Sequence, residues 1–182
     1  MILGLVGSEM CIRDRSHTLH YGTGVFEGIR ARDSKIGTTI FRLPDHVDRL
    51  FDSAEAYNLK IPFDKEVITN AIKDSVHLNN LSSAYIRPLV FFGEGEMGLL
   101  PKSVPVYVSV AAWNWGAYLG DDAGNQGVRV CISKWKRISP QSFKPTAKGV
   151  GGYMNSTLAK VDAVENGSVS YTHLTLPTKD GG

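Results

Sequence analysis

Apolar and polar positions along the chain alternate with two different periods. In "LPDHVDRLFDSAEAYN", residues 43–58, Val47, Leu50, Phe51 and Ala54 recur at helical spacing, and Pro44 and Asp45 mark the start of the helix. "DKEVITNAIKDSVHLNN", residues 64–80, predicts a second amphipathic helix with Val67, Ile68, Ala71, Ile72 and Val76 turned inward. Runs rich in β-branched and aromatic residues predict strands at "TTIFRL" (38–43), "AYIRPLVFFG" (84–93), "VPVYVSVAAW" (104–113) and "VRVCISKW" (128–135). "LHYGTGVFEGIRA", residues 19–31, reads as a glycine-bearing turn that feeds a strand, and "NSTLAKVDAVENG", residues 155–167, as a helix. Residues 16–118 therefore form one α+β unit, and a connector, 119–126, lies within "GAYLGDDAGNQG", residues 116–127. A second unit begins at 127 and runs to 167, too short to bury a core of its own.

Composition narrows the class without changing this picture. Of 182 residues, 42% are hydrophobic and 21% charged, the balance of an ordinary soluble domain. A formal net charge of +2 argues against nucleic acid or an anionic membrane as partner. No apolar run is long enough to span a bilayer. Two cysteines, Cys11 and Cys131, make no disulfide framework, so a cytoplasmic location is expected.

The two ends read differently. "EMCIRD", residues 9–14, translates GAG ATG TGT ATA AGA GAC, the end sequence of a common sequencing transposon. "VSYTHL", residues 169–174, translates its reverse complement, GTC TCT TAT ACA CAT CTC. Residues 1–15 and 168–182 are accordingly expected to be translated adaptor, and are set aside in reasoning about the fold. The alternative is a natural terminal strand and tail.

Several residues could carry chemistry. Lys148 lies in "PTAKGVGGY" among Ala147, Gly149, Gly151 and Gly152, with Tyr153 five positions on. Small neighbours would let a planar ligand approach, and a nucleophilic lysine needs desolvation or a nearby cation. Taken alone, a lysine in a glycine-rich loop is more often a solvated charge. Arg49 falls off the apolar face of its helix, either solvated or gripping an anion. Arg87, between Ile86 and Pro88, must be paired or face a cavity, so a structural salt bridge and a carboxylate-binding role stand level. Tyr21, Phe26, Trp115 and Tyr118 could be core or could line an apolar pocket. Gly22, Gly24 and Gly28 do not make a dinucleotide fingerprint, and His17, His20, His46 and His77 show no metal-ligand spacing. No metal site is expected.

Four stretches together bear a resemblance. "LHYGTGVFEGIR", "HVDRLFDSA", "SAYIRPL", and "WGAYLG" followed by "PTAKGVGGYMNS" resemble the first half of branched-chain-amino-acid aminotransferases, enzymes of PLP fold type IV. The likeness runs over residues 16–167 and would cover about half of a family member. It implies a small N-terminal α/β domain followed by the truncated start of a large cofactor-binding domain. The implied cofactor is pyridoxal 5'-phosphate (PLP), carried by Lys148, with Arg49 on its phosphate and Tyr153 on its phenolic oxygen. Lys148 would also move the proton between the α-carbon and the cofactor. Phe26, Trp115 and Tyr118 would wall the substrate pocket, with Gly28 and Arg30 nearby, and Tyr21 would reach the pocket of the partner subunit in a homodimer. Arg87 would meet the side-chain carboxylate of glutamate. The implied reaction is a ping-pong transamination of leucine, isoleucine or valine with 2-oxoglutarate. The expected partners are therefore small amino acids and 2-oxo acids, with no nucleic acid and no membrane.

The pattern departs from the family at two points. The glutamate that pairs with the pyridine nitrogen, and several substrate loops, lie further along family members, so this chain by itself is expected to be inactive. The interior of "KGVGGY" also differs from the commoner Lys-Ala-Gly-Gly-Asn-Tyr. D-Amino acid aminotransferases and aminodeoxychorismate lyases share the fold but usually lack the "FEGIR" ending. A non-catalytic α+β binding domain is the remaining alternative.

Overall fold

The structure, a computed structural model, describes residues 14–116 and 127–172. These residues divide into two compact units. One comprises residues up to Asn114 together with Pro145–Gly151, and the other Trp115–Lys144 together with the residues from Gly152.

The first unit opens on a short helix, α1 (His17–Tyr21), where the sequence suggests only a turn. Gly22 ends it with φ +67°, and its N–H closes on the Thr18 carbonyl at 2.8 Å, a left-handed cap that suits glycine. Strands β1 (Gly24–Phe26) and β2 (Ile29–Arg32) then run in one register along the same edge of β4 (Ala84–Phe92). The pairs run from Gly24↔Phe91 to Phe26↔Leu89 and resume at Ile29↔Ile86. The interruption at Glu27–Gly28 lies opposite Pro88. The Glu27 N–H reaches the Pro88 carbonyl at 3.0 Å, but proline has no N–H to return.

Only Thr39–Ile40 of the expected strand at 38–43 is extended, as β3 beside β2. Arg42 turns the chain with φ +51° into helix α2 (Leu43–Ala56), and its guanidinium binds Asp45 of the first turn. Helix α3 (Lys65–His77) starts at Asp64, whose carboxylate accepts the Val67 N–H at 2.8 Å. Strand β5 (Val106–Trp113) pairs along the other edge of β4, from Tyr85↔Trp113 to Phe92↔Val106.

Alternation along β4 separates the two faces of this sheet. Ala84, Ile86, Pro88, Val90 and Phe92 are buried, and α2 and α3 cover them with Val47, Leu50, Ala54, Ile68, Ile72 and Val76. Each buried Val, Leu or Ile side chain among them contributes about 1.5–3 kcal/mol by leaving water. Val67, expected inward, is instead 47% exposed. Ile68, Ile72 and Val76 set the buried stripe of α3, and Val67 lies about 100° around the helix from Ile68. By register, Phe26, Gly28 and Arg30 share the opposite face with Tyr85, Arg87 and Leu89.

The segment 148–151 joins this unit because it pairs with the outer edge of β1. Gly149 bridges Val25, the Phe26 N–H reaches the Lys148 carbonyl at 3.1 Å, and the Gly151 N–H reaches the Gly22 carbonyl at 3.1 Å.

The second unit holds β6 (Val130–Ile132), helix α4 (Tyr153–Glu165) and β7 (Ser170–Thr172). The two strands are parallel, in the register Val130↔Ser170 to Ile132↔Thr172, and the helix lies between them in sequence. The strand expected over 128–135 is shortened to three residues. Ala159, Asp162 and Ala163 are the buried positions of α4, and Lys134 binds the Asp162 carboxylate at 2.9 Å. Strand β7 falls within the segment set aside above as adaptor. Its residues, Ser170, Tyr171 and Thr172, include the β-branched and aromatic types that fit a strand whatever their origin. Among the described residues, no helix is long and apolar enough to cross a membrane.

Candidate active site

On the open face of the first sheet, two cations approach one aromatic ring. The Lys148 Nζ lies 5.0 Å from the centroid of Phe26, and the Arg87 guanidinium carbon 4.4 Å from it. Cations are attracted to an aromatic face, so Phe26 acts here as floor as well as wall. The segment carrying Lys148 comes this close because glycines meet across the gap. A Cβ on Gly22 would stand 2.8 Å from the Gly151 Cα.

No acidic side chain pairs with Arg87 among the described residues. Its Nη2 donates to the Tyr85 hydroxyl at 2.9 Å, its guanidinium carbon lies 5.2 Å from the Tyr85 ring, and its buried Nε has no hydrogen-bond partner among the described residues. A half-buried guanidinium with an unsatisfied donor can accommodate an anionic group. Gly28 belongs to the same arrangement. A Cβ there would lie 2.3 Å from the Tyr85 hydroxyl, so its missing side chain is the space that hydroxyl fills. Tyr85 packs on Trp113 at 5.1 Å and stands opposite Arg30 in the ladder. Strand alternation could have pointed to Tyr85, two residues before Arg87 and therefore on its face.

The helix-covered face holds a different cluster. Glu27 is completely buried, yet ionisable. Arg49 grips it with Nε and Nη2 at 2.5 and 2.6 Å, and His46 Nδ1 donates at 2.9 Å. The proton must sit on His46 Nδ1, since a carboxylate only accepts. Burial alone would push the Glu27 carboxyl up. The Arg49 and His46 hydrogen bonds and charges outweigh it and hold the carboxyl below the ordinary 4.5. Arg49 is thus fixed in orientation while its side chain stays 51% exposed. Nothing in the hydrophobic periodicity singles out Glu27. The one available signal is a carboxylate inside "VFEGI", where burial demands a cationic partner. Beside this cluster, Gly28, Arg30, Arg32, Thr39, Phe41 and His46 line a cavity of about 460 Å³.

The remaining candidates are more scattered. Tyr21 lies on α1, partly exposed, with its hydroxyl donated to the Met97 carbonyl at 2.6 Å. Trp115 and Tyr153 belong to the second unit and are partly exposed, Tyr153 as the first residue of α4. Tyr118 lies outside the described residues. His17, buried, is occupied by the Thr23 hydroxyl and the Gly98 carbonyl. Among the described residues, no cluster of His, Cys, Asp and Glu could hold a metal.

What the first unit presents is an amine on a backbone pinned from two sides, a guanidinium with a donor to spare, and a second guanidinium oriented by a buried carboxylate. Such a set can hold a ligand that combines a carbonyl group with anionic groups.

Known proteins resemble this chain in sequence and fold. The family model described as amino-transferase class IV matches residues 24–172. A branched-chain-amino-acid aminotransferase of Pseudomonas aeruginosa is 49% identical over 153 residues, covering 84% of this chain and 50% of that protein. Among solved structures, a branched-chain amino acid aminotransferase of Escherichia coli aligns with a TM-score of 0.88 at 40% identity, over 94% of this chain and 57% of that one. The branched-chain aminotransferase of the thermophilic archaeon Thermoproteus uzoniensis, solved with norvaline, aligns at 0.84 with 33% identity, over 94% of this chain and 57% of that one. The chain spans about half the length of the curated relatives it matches.

Proposed function

The chain belongs to the class IV amino-transferase family, and we propose that it forms half of the site at which the whole protein transaminates branched-chain L-amino acids. The acceptor is 2-oxoglutarate and the cofactor PLP. The observation that carries this reading is the placing of Lys148 and Arg87 against one Phe26 ring. The names of the relatives support the choice of substrate class.

The residues fit such a cofactor. Lys148 offers an amine from a pinned peptide, and Arg49 is a half-exposed guanidinium already oriented by Glu27. Bound PLP supplies an electron-accepting ring that eases loss of the amino acid's α-proton. Lys148 would hold the cofactor, and its amine would take and return that proton. Arg49 would hold the phosphate and Tyr153 the phenolic oxygen. Phe26, Trp115 and Tyr118 exclude water from the aliphatic side chain, with Gly28 and Arg30 at the margin. Tyr21 serves the pocket of the partner subunit in a homodimer. Arg87 lets one pocket accept both substrates. Its guanidinium rests on aromatic faces when the side chain is aliphatic, and its Nε donates when the side chain ends in a carboxylate.

Borohydride trapping of the purified chain with PLP, followed by peptide mapping, tests this. Phosphopyridoxyl label should concentrate on Lys148. Label shared evenly with Lys144 and Lys160 would overturn the assignment.

A further inference from the structure

Lys148 is held through its backbone by two different elements. Its carbonyl accepts the Phe26 N–H of β1 at 3.1 Å, and its own N–H is donated to the Ser53 hydroxyl of α2 at 3.1 Å. Lys148 precedes the isolated bridge between Gly149 and Val25 and lies outside the named strands. Here a helix supplies the acceptor through a short side chain, and Ser53 is only 1% exposed.

Ser53 is also the third member of a stripe. His46, Arg49 and Ser53 follow at i, i+3 and i+7 along α2 and so lie on one face of it. The first two bind Glu27 and the third binds Lys148. Glu27 adjoins Phe26, whose N–H is bound to the Lys148 carbonyl. The contacts therefore close a ring from Ser53 to Lys148, Phe26, Glu27 and Arg49, and back along the helix.

We infer that Ser53 is a positioning residue that fixes the Lys148 amine relative to the Arg49 guanidinium, so that an aldehyde bearing a phosphate ester is gripped at both ends. The inference rests on the function proposed above. A hydroxyl is required, because alanine has no acceptor and a thiol is a weak one.

The test compares the full chain with Ser53→Ala, Ser53→Cys and Ser53→Thr, using two readouts. Amide hydrogen exchange at Lys148, without PLP, should accelerate about tenfold in Ser53→Ala and Ser53→Cys, the scale of one lost hydrogen bond, and stay near wild type in Ser53→Thr. Exchange at Ile72, buried in α3, serves as the folding control. In the second readout, borohydride-trapped label on Lys148 should fall in the first two variants, relative to Lys144 and Lys160, and be retained in Ser53→Thr. Unchanged Lys148 exchange in Ser53→Ala would overturn the inference alone. So would faster exchange with undiminished Lys148 labelling. Wild-type chain that fails to label at Lys148 would overturn the proposed function and this role with it, whatever the exchange shows.

Discussion

Replacing Glu27 by glutamine tests the anchor of Arg49 directly. The side chain keeps its shape and loses its charge, and its new amide group confronts the Arg49 donors. Removing one partner of a fully buried ion pair costs about 3–5 kcal/mol, because the other charge is left without compensation. Glu27 meets that condition but its partners do not. Arg49 is 51% exposed and His46 23% exposed, so water recovers part of their solvation. The expected loss at neutral pH is therefore about 2–3 kcal/mol, measured by urea denaturation of wild type and Glu27→Gln. The pH dependence supplies a second check. The folded carboxyl is held below 4.5, so its contribution is fully present above the unfolded value and is lost as pH falls through the folded one. The gap between the two proteins should hold steady from about pH 7 to pH 5 and narrow below about pH 4.5. Equal stability at neutral pH, or a gap that persists undiminished in acid, would refute the reasoning.

Two packing predictions accompany this one. Gly28→Ala places a Cβ 2.3 Å from the Tyr85 hydroxyl and should cost about 1–3 kcal/mol in urea denaturation. Adding Tyr85→Phe should recover part of that loss, and strict additivity would show that the hydroxyl is not the obstacle. Leu50→Ala, at a fully buried position of α2, should cost about 2–5 kcal/mol and lower the urea midpoint without changing its slope. A cost under about 1 kcal/mol would mean that the helix does not pack on β4 as described.

The helices and long strands were legible because their side chains repeat. Val47, Leu50 and Ala54 appear in the pattern where they appear in the core, and β4 alternates as its residues suggest. What escaped is what tertiary contact decides. Val67 is apolar and next to Ile68, so only the angle at which α3 meets the sheet shows that it faces outward. The strand at 38–43 stops at Ile40 because Arg42 takes a left-handed conformation to launch α2, a cost its side chain offsets by binding Asp45. Arg49 and Lys148 were visible as charges, and the family resemblance gave them expected roles. Glu27 and Ser53 were not, because each acts through a residue distant in sequence, whereas Tyr85 acts through Arg87 two positions on, a pairing that strand alternation carries. The hydroxyl that meets the Lys148 N–H lies 95 positions away, a pairing no local pattern carries.

Glu27 also explains how two clusters on opposite faces of a sheet can act as one. Successive residues of a strand point to opposite sides. Phe26 faces the open side, where it meets Lys148 and Arg87. Glu27, the next residue, faces the helices, where it meets Arg49 and His46. Pro88 stands opposite Glu27 and cannot return a ladder bond, so regular pairing lapses at the one point where a buried carboxylate must be turned toward α2. Gly28 then leaves room for Tyr85 to hold Arg87. Phe26, Glu27 and Gly28 thus join the Lys148 amine, the Arg49 guanidinium and the Arg87 guanidinium through adjacent peptide bonds. Any shift of β1 along β4 by one residue would exchange the faces of Phe26 and Glu27, burying an aromatic ring against Arg49 and exposing the carboxylate to Lys148.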